Sequence, residues 1–166
     1  MQKLYIDRIE SALGEIVVVV DGDQLCAVDF AEYEERLQRS LQRRYGAYVC
    51  EPSVNPVGSC DYIRAYLSGE LDSISNIPTT QTGTPFQQKV WSQLRLIPAG
   101  QTLTYGQLAS QIGQPQASRA VGRANACNPI MIVVPCHRVV GTQNQLTGYA
   151  GGLERKRWLL EHEQSA

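Results

Sequence analysis

The chain has 166 residues, of which 43% are hydrophobic and 19% are charged, and its net charge is −1 at neutral pH. This size fits one domain or two small lobes with a hydrophobic core, and the composition is that of an ordinary globular protein. No apolar run approaches the roughly 18 residues that span a bilayer, and the N-terminus has no apolar secretory segment. We therefore expect a cytoplasmic protein without a membrane partner.

Charge is divided unevenly along the chain. Residues 1–83 contain 7 Lys or Arg and 13 Asp or Glu, whereas residues 84–166 contain 8 and 3. A basic C-terminal half favours contact with a polyanion such as DNA, although charge can also be uneven without any function. The charge pattern alone therefore suggests a partner without identifying one.

Cysteine and histidine usage excludes two common roles for these residues. Five cysteines, an odd number, argue against a disulfide framework. With only two histidines and no Cys-x-x-Cys spacing, a tetrahedral zinc site is not expected either.

The N-terminal half predicts a small antiparallel sheet with a helix packed against it. Strands are predicted over residues 3–9, 15–20 and 24–30, with Asp21-Gly22-Asp23 as a hairpin turn between the last two. Residues 31–45 have apolar positions at helical spacing, and a second helix is predicted over residues 57–67. Because no pattern here points to chemistry, we interpret this first domain, residues 1–80, as structural.

A polar segment over residues 72–83 marks the predicted boundary to a second domain, residues 84–166. Thr84 is expected to cap a helix in which Pro85 takes the first position. Thr104 can cap a second helix. A third is predicted to begin at Ser118, after a tight turn that contains glycine and proline. Two short helices joined by such a turn are typical of a helix-turn-helix.

The second of these short helices is slim, because small residues alternate along it from Ala120 to Ala126. A slim helix could enter a narrow minor groove and distort the duplex. It could equally be an internal helix that small residues allow to pack tightly. The sequence leaves both alternatives open.

Residues 128–138 contain the segment around which the chain is organised. An apolar, β-branched run predicts a buried strand that ends at Pro135, and Cys136, His137 and Arg138 follow it. A base and a positive charge beside a thiol favour a reactive thiolate. The alternative is that Cys136 is simply a small buried hydrophobic residue. Neighbours in a strand also face opposite sides, so Cys136 and His137 can cooperate only if the backbone turns or a water bridges them.

The string Pro135-Cys136-His137-Arg138-Val139-Val140 resembles the active-site motif of the methylated-DNA–protein-cysteine methyltransferases, the O6-alkylguanine-DNA alkyltransferases. Further strings follow in the family's order, so that the resemblance is close over residues 84–163. These strings are Thr84-Pro85-Phe86-Gln87, Ile97-Pro98-Ala99-Gly100, Tyr105-Gly106-Gln107-Leu108-Ala109, Ser118-Arg119-Ala120-Val121-Gly122, Asn128-Pro129, Gly148-Tyr149-Ala150-Gly151-Gly152 and Lys156-Arg157-Trp158-Leu159-Leu160.

The resemblance implies an α+β fold, with a ribonuclease H-like N-terminal part and a mostly helical C-terminal part that contains a helix-turn-helix. It implies irreversible, single-turnover transfer of the alkyl group of O6-methylguanine to Cys136, with the base flipped from the minor-groove side of duplex DNA. O4-methylthymine is left open as a second substrate. The implied partner is double-stranded DNA carrying O6-alkylguanine. A monomer without cofactor, metal or obligate protein partner is expected.

The resemblance also assigns roles to residues. Cys136 is the nucleophile, His137 is the base that acts through a water, and Glu163 orients His137. Tyr105 donates toward the purine ring, and Asn128 ties the helix-turn-helix to the active-site segment. Substrate contacts are implied for Tyr105, for the carbonyls of Cys136 and Val139, for Tyr149 and for the amide of Ala150. DNA contacts are implied for Arg119, Gly122, Arg123, Ala124, Asn125 and Ala126.

Two other functions compete with this interpretation. One is a DNA-binding module in which Cys136 is idle. The other is a cysteine hydrolase that uses Cys136 and His137 and has no need for a basic helix-turn-helix.

Overall fold

The computed structural model describes residues 1–165; Ala166, the last residue of the predicted second domain, lies outside them. Contacts divide the chain into two units. The first contains residues 1–82 together with 129–133, and the second contains residues 83–128 and the chain from 134 onward. The predicted division into residues 1–80 and 84–166 does not include this return to the first unit. Within the described residues, no helix is long and apolar enough to cross a membrane.

The first unit is built on a four-stranded sheet. Its elements are β1 (Gln2–Ile9), β2 (Ile16–Asp21), β3 (Gln24–Phe30), α1 (Glu34–Tyr45), β4 (Tyr48–Pro52) and α2 (Ser59–Leu67). The strand order is β3-β2-β1-β4, in which β1, β2 and β3 pair antiparallel while β4 lies parallel to β1. The three predicted strands are antiparallel as expected, but β4, which was not predicted, makes the sheet mixed. A helical connection, α1, brings the chain back so that β4 runs in the direction of β1.

Burial in the first unit follows the apolar pattern of the sequence. The run of β2 from Ile16 to Val20 is fully buried, as expected for a strand that is covered on both faces. Leu37 and Leu41 of α1 belong to the same hydrophobic cluster as Val17 and Val19 of β2. The predicted helix at these positions is confirmed, and its apolar face packs on the sheet. The ribonuclease H-like assignment of this unit stays a prediction.

The segment before Pro135 is buried as predicted, but it is not a strand. Only Ile130 forms a bridge, to Val28 of β3, and tight turns follow. The Val133 amide donates to the Met131 carbonyl at 2.7 Å, and Ile132 has a φ of 70°, which is rare for a β-branched residue. The apolar residues of this segment therefore indicated burial correctly, while tertiary packing overrode their preference for extended backbone.

The second unit is mostly helical. Its elements are α3 (Pro85–Leu94), β5 (Leu103–Thr104), α4 (Tyr105–Gln111), α5 (Ser118–Ala126), β6 (Val139–Val140) and α6 (Leu153–Ser165). β5 and β6 form a short parallel pair. Both predicted caps are confirmed, because the hydroxyls of Thr84 and Thr104 accept from the backbone amides of Gln87 and Gln107 in capping boxes.

The indole of Trp91 joins two of these helices. Val90, Trp91 and Leu94 form the buried face of α3. From this face the Trp91 Nε1–H donates to the Ala124 carbonyl of α5 at 2.9 Å. The contact fixes α5 against α3 inside the second unit.

We predict that Thr84→Ala lowers the free energy of unfolding of the second unit by about 1 kcal/mol, because it removes the cap of α3. Urea denaturation followed by tryptophan fluorescence measures this change, since Trp91 and Trp158 both lie in this unit. The control is Thr82→Ala, at an exposed residue just before this unit and outside the helices and strands, which should change the value by less than about 0.5 kcal/mol. Equal losses in the two variants would contradict the assigned cap.

Candidate active site

Cys136, His137 and Arg138 form a single 3-10 turn immediately after Pro135. All three side chains are buried, and the turn is closed by the Arg138 amide, which donates to the Pro135 carbonyl at 3.0 Å. In an extended strand neighbouring side chains face opposite sides, but a turn removes this restriction. The thiol and the imidazole are therefore placed in the same interior of the second unit.

The carboxylate of Glu163, from α6, is shared by the two residues that follow Cys136. His137 Nε2 lies 2.8 Å from Glu163 Oε2, and Arg138 donates to both carboxylate oxygens at 2.9 Å. The remaining Arg138 nitrogen, Nη1, donates to the Ile97 carbonyl at 2.7 Å. Burial by itself would raise the pKa of Glu163, but the contacts with His137 and Arg138 outweigh it and lower that pKa. Glu163 is therefore ionised at neutral pH.

His137 is fully buried, and burial lowers its pKa although Glu163 opposes the change. The imidazole is therefore neutral at pH 7. Because Glu163 accepts a hydrogen bond, Nε2 carries the proton and Nδ1 presents its lone pair. Among residues 1–165, Nδ1 has no hydrogen-bond partner. The result is a buried base of fixed orientation next to a thiol.

Lys156 is a charged group that interacts with Cys136. The guanidinium of Arg138, the positive charge that the sequence places beside the thiol, donates to Glu163 and to the Ile97 carbonyl. Lys156 is completely buried, and burial lowers its pKa to about 8, although the interaction with Cys136 opposes this change. Reciprocally, the charge of Lys156 favours the thiolate form of Cys136.

Lys156 also fixes the loop that precedes α6. Its ammonium donates to the carbonyls of Val139 at 2.6 Å, Thr147 at 2.8 Å and Gly148 at 3.3 Å. Sequence reasoning missed this residue because it stands in the basic run Arg155-Lys156-Arg157. A signal was present, since Lys156 shares the helical stripe of Leu159 and Glu163, which are both buried.

The aromatic residues of the predicted site lie around the same loop. The Tyr105 hydroxyl, at the start of α4, donates to the Thr147 carbonyl at 3.4 Å. Burial raises the pKa of Tyr105, so its phenol is protonated. The Tyr149 ring lies 6.5 Å from the His137 ring in an edge-on arrangement, and a turn from Tyr149 to Gly152 contains Ala150.

Two asparagines hold backbone carbonyls of the active-site segment. Asn128 Nδ2 donates to the Val134 carbonyl at 2.8 Å, and Asn125 Nδ2 donates to the Cys136 carbonyl at 3.2 Å. Both asparagines are buried. Asn125 is the last buried residue of α5, so α5 contacts the cysteine segment directly.

The two alternatives for the slim helix α5 each apply to one of its faces. Arg119, Arg123 and Ala126 are exposed and Gly122 is half-buried, whereas Ala124 and Asn125 are buried. The Ala124 carbonyl accepts from Trp91, and the Asn125 carboxamide donates to the Cys136 carbonyl. The DNA contacts expected of this helix stay predictions, and its exposed face is the one that carries the two arginines.

Within residues 1–165, no group of three or more His, Cys, Asp or Glu side chains could hold a metal ion.

Comparison with known proteins identifies the family. A family model described as "6-O-methylguanine DNA methyltransferase, DNA binding domain" matches residues 85–165. The chain is 49% identical over 166 residues to a methylated-DNA–protein-cysteine methyltransferase of Shigella flexneri, and the alignment covers 98% of this chain and 97% of that protein. The chain belongs to the methylated-DNA–protein-cysteine methyltransferase family.

Solved structures of methyltransferases share this fold. The crystal structure of Mycobacterium tuberculosis O6-methylguanine methyltransferase is 39% identical and superposes with a TM-score of 0.81, covering 98% of this chain and 93% of that one. A crystal structure of Mycobacterium tuberculosis OGT in complex with DNA gives a TM-score of 0.80 at the same identity and coverage. The expected α+β class is thereby confirmed.

The pKa of Lys156 leads to a prediction about alkaline pH. Its folded value of about 8 lies below the usual 10.5, so between these values the unfolded chain holds a proton that the folded chain has released. Stability then rises with pH. We expect the free energy of unfolding of the wild type, minus that of Lys156→Met, to rise by up to about 1.4 kcal/mol per pH unit between pH 8 and 10.

Urea denaturation at a series of pH values measures this difference. Lys89→Met, which replaces an exposed lysine of α3, is the control and should give a flat difference. A flat difference for Lys156→Met as well would contradict the lowered pKa.

Proposed function

We propose that this protein repairs DNA by direct reversal, transferring the alkyl group of O6-methylguanine in duplex DNA irreversibly to Cys136, once per molecule. The observation that carries the proposal is the buried turn in which Cys136 adjoins a neutral His137 whose orientation is fixed by Glu163. Membership in the methyltransferase family supports the reaction class, and the DNA complex of Mycobacterium tuberculosis OGT supports DNA as the partner.

Activation of the thiol begins with the His137–Glu163 pair. His137 Nδ1 takes the Cys136 proton through a water molecule, and the imidazolium that forms is balanced by the ionised Glu163. Lys156 stabilises the thiolate electrostatically, because its ammonium lies in the same buried region. These residues need neither a metal nor a cofactor to generate the nucleophile.

The transfer itself is an in-line displacement at the alkyl carbon. A bond forms between Cys136 Sγ and this carbon while the bond from carbon to O6 breaks, and the electron pair of that bond remains on the guanine. The protonated Tyr105 hydroxyl donates toward the purine ring and stabilises the leaving anion. The amide of Ala150 faces O6. Because a thioether is not a leaving group here, the protein is not regenerated.

Helices α4 and α5 are proposed to act as a helix-turn-helix whose exposed face enters the minor groove. Arg119 and Arg123 provide positive charge on that face. A Cβ on Gly122 would lie 3.8 Å from the Tyr105 ring, an ordinary contact distance, so internal packing does not require glycine there. A small, half-buried residue at this position instead leaves room for close approach of DNA. Arg119 replaces the flipped base in the stack and offsets part of the cost of flipping, a few kcal/mol.

We predict that Cys136→Ser abolishes transfer from duplex DNA containing one O6-methylguanine, because serine is a far weaker nucleophile at neutral pH. Intact-protein mass spectrometry should show the wild type gaining the mass of one methylene, on Cys136 only. Cys127→Ser is the matched control, since Cys127 is an exposed cysteine of the same unit, and it should transfer as the wild type does.

Other outcomes of this measurement identify the competing functions. A wild type that binds the lesion without gaining mass would be a binding module with an idle cysteine. Turnover of acyl substrates by an unmodified protein would instead indicate a hydrolase.

We also predict that Arg119→Ala slows transfer from duplex DNA by about tenfold or more, because the cost of flipping is no longer offset. Transfer from the same lesion in single-stranded DNA should change much less, since no base pair has to be opened. The control Arg123→Ala should weaken binding to both DNA forms similarly. If Arg119→Ala slowed both reactions equally, Arg119 would not act in base flipping.

A further inference from the structure

We propose that a groove between α3 and the end of α4 is a second DNA contact, which binds backbone phosphates of the duplex outside the minor groove that α5 enters. This inference rests on the proposed function, because it extends the DNA surface that serves the same site. The proposed function uses α4, α5 and the reacting cysteine, and it gives no role to the exposed side of α3.

The groove is formed by a polar side of α3 and by the end of α4. Its lining on α3 consists of polar side chains at helical spacing, namely Gln88, Lys89, Ser92 and Gln93. The other wall is the C-terminal end of α4, where Gln111 is exposed. Helix α3 therefore has two sides, a buried one that packs within the unit and this polar one.

The chemistry of the lining argues against a small organic ligand. The groove has a volume of about 530 Å³, which lies in the size range of small-molecule sites, but such sites are lined predominantly by hydrophobic and aromatic side chains. Among the described residues that line this groove, Pro85 and Ile112 alone are apolar, and none is aromatic. Amide, hydroxyl and ammonium groups instead provide donors for phosphate oxygens.

The three helices around the groove carry positive charge only. No Asp or Glu occurs between residues 84 and 153, so α3, α4 and α5 have no carboxylate, whereas Lys89, Arg119 and Arg123 are exposed on them. The acidic residues of the second unit all lie in α6. A polyanion that approaches α3, α4 and α5 therefore meets no repelling side chain of these helices.

The position of the groove suits the DNA backbone. In helix-turn-helix proteins the second helix enters a groove of the duplex, and the first helix crosses the backbone beside it. Here the first helix of the proposed pair is α4, whose end forms one wall of the groove. The hydrogen bond from Trp91 to the Ala124 carbonyl fixes α3, the other wall, on α5. The groove thus lies where the proposed docking brings the phosphates of one strand.

The test measures how salt weakens binding of the full-length protein to a fluorescent duplex. Each phosphate that a lysine neutralises adds about 0.9 to the steepness with which log K falls against log salt concentration. We expect Lys89→Met to bind more weakly than the wild type at low salt and to give a slope that is shallower by about 0.9. Lys89→Arg keeps the charge and should keep the wild-type slope.

Arg157→Met is the matched control. Arg157 is an exposed cation of α6 in the same unit, so its loss changes the net charge equally without altering the groove. Its slope should equal that of the wild type. The proposal is overturned if Lys89→Met keeps the wild-type slope, or if both variants change it equally, since the effect would then come from net charge.

A scan of the phosphates locates the contact. The duplex carries one O6-methylguanine, and the protein carries Cys136→Ser, so that the lesion sets the register without being consumed. Single phosphates are replaced in turn by uncharged methylphosphonates. We expect a position at which this replacement weakens binding when Lys89 is present and has no effect when Lys89→Met is added. If no position behaves in this way, the groove does not contact DNA.

Failure of the proposed function would look different. The salt slopes need no methyl transfer, so a wild type that binds the duplex but takes no methyl group from O6-methylguanine would contradict the reaction and not the groove. A wild type that transfers normally, together with an unchanged slope in Lys89→Met, would contradict the groove alone.

Discussion

The carboxylate of Glu163 is the group on which the site depends. It is buried, and it binds both the imidazole of His137 and the guanidinium of Arg138. Burying a carboxylate costs several kcal/mol unless it is paired, and the bidentate contact of Arg138 supplies that pairing. Arg138 also donates to the Ile97 carbonyl. Its guanidinium therefore connects α6, the turn from Cys136 to Arg138 and the residues that directly follow α3. The tautomer of His137 follows from this arrangement.

Two buried cations, Arg138 and Lys156, interact with different groups of the site. Arg138 neutralises Glu163, and Lys156 interacts with Cys136 and with the carbonyls of the loop before α6. The same ammonium thus favours a thiolate and fixes the loop in which Thr147 also meets Tyr105. A change in this loop therefore affects both the nucleophile and the proposed donor to the leaving group.

Helix α5 joins the proposed DNA surface to the reacting cysteine. One face carries the exposed Arg119 and Arg123, while the other places Asn125 against the Cys136 carbonyl. On the buried face the Ala124 carbonyl accepts from Trp91, and the half-buried Gly122 adds no side chain to the helix. The proposed binding of DNA at one face and the contact with the cysteine segment at the other therefore belong to the same helix.

Local features of this protein are determined by the sequence alone. The capped helices at Thr84 and Thr104 could be predicted because capping involves residues three positions apart, and the motif around Cys136 indicated the family. Only the tertiary structure decided that residues 129–134 form turns rather than a strand, that β4 lies parallel to β1, and that Lys156 points inward. These features depend on which distant groups pack against a segment, and a buried apolar run or a basic cluster looks the same in sequence whichever partners it finally meets.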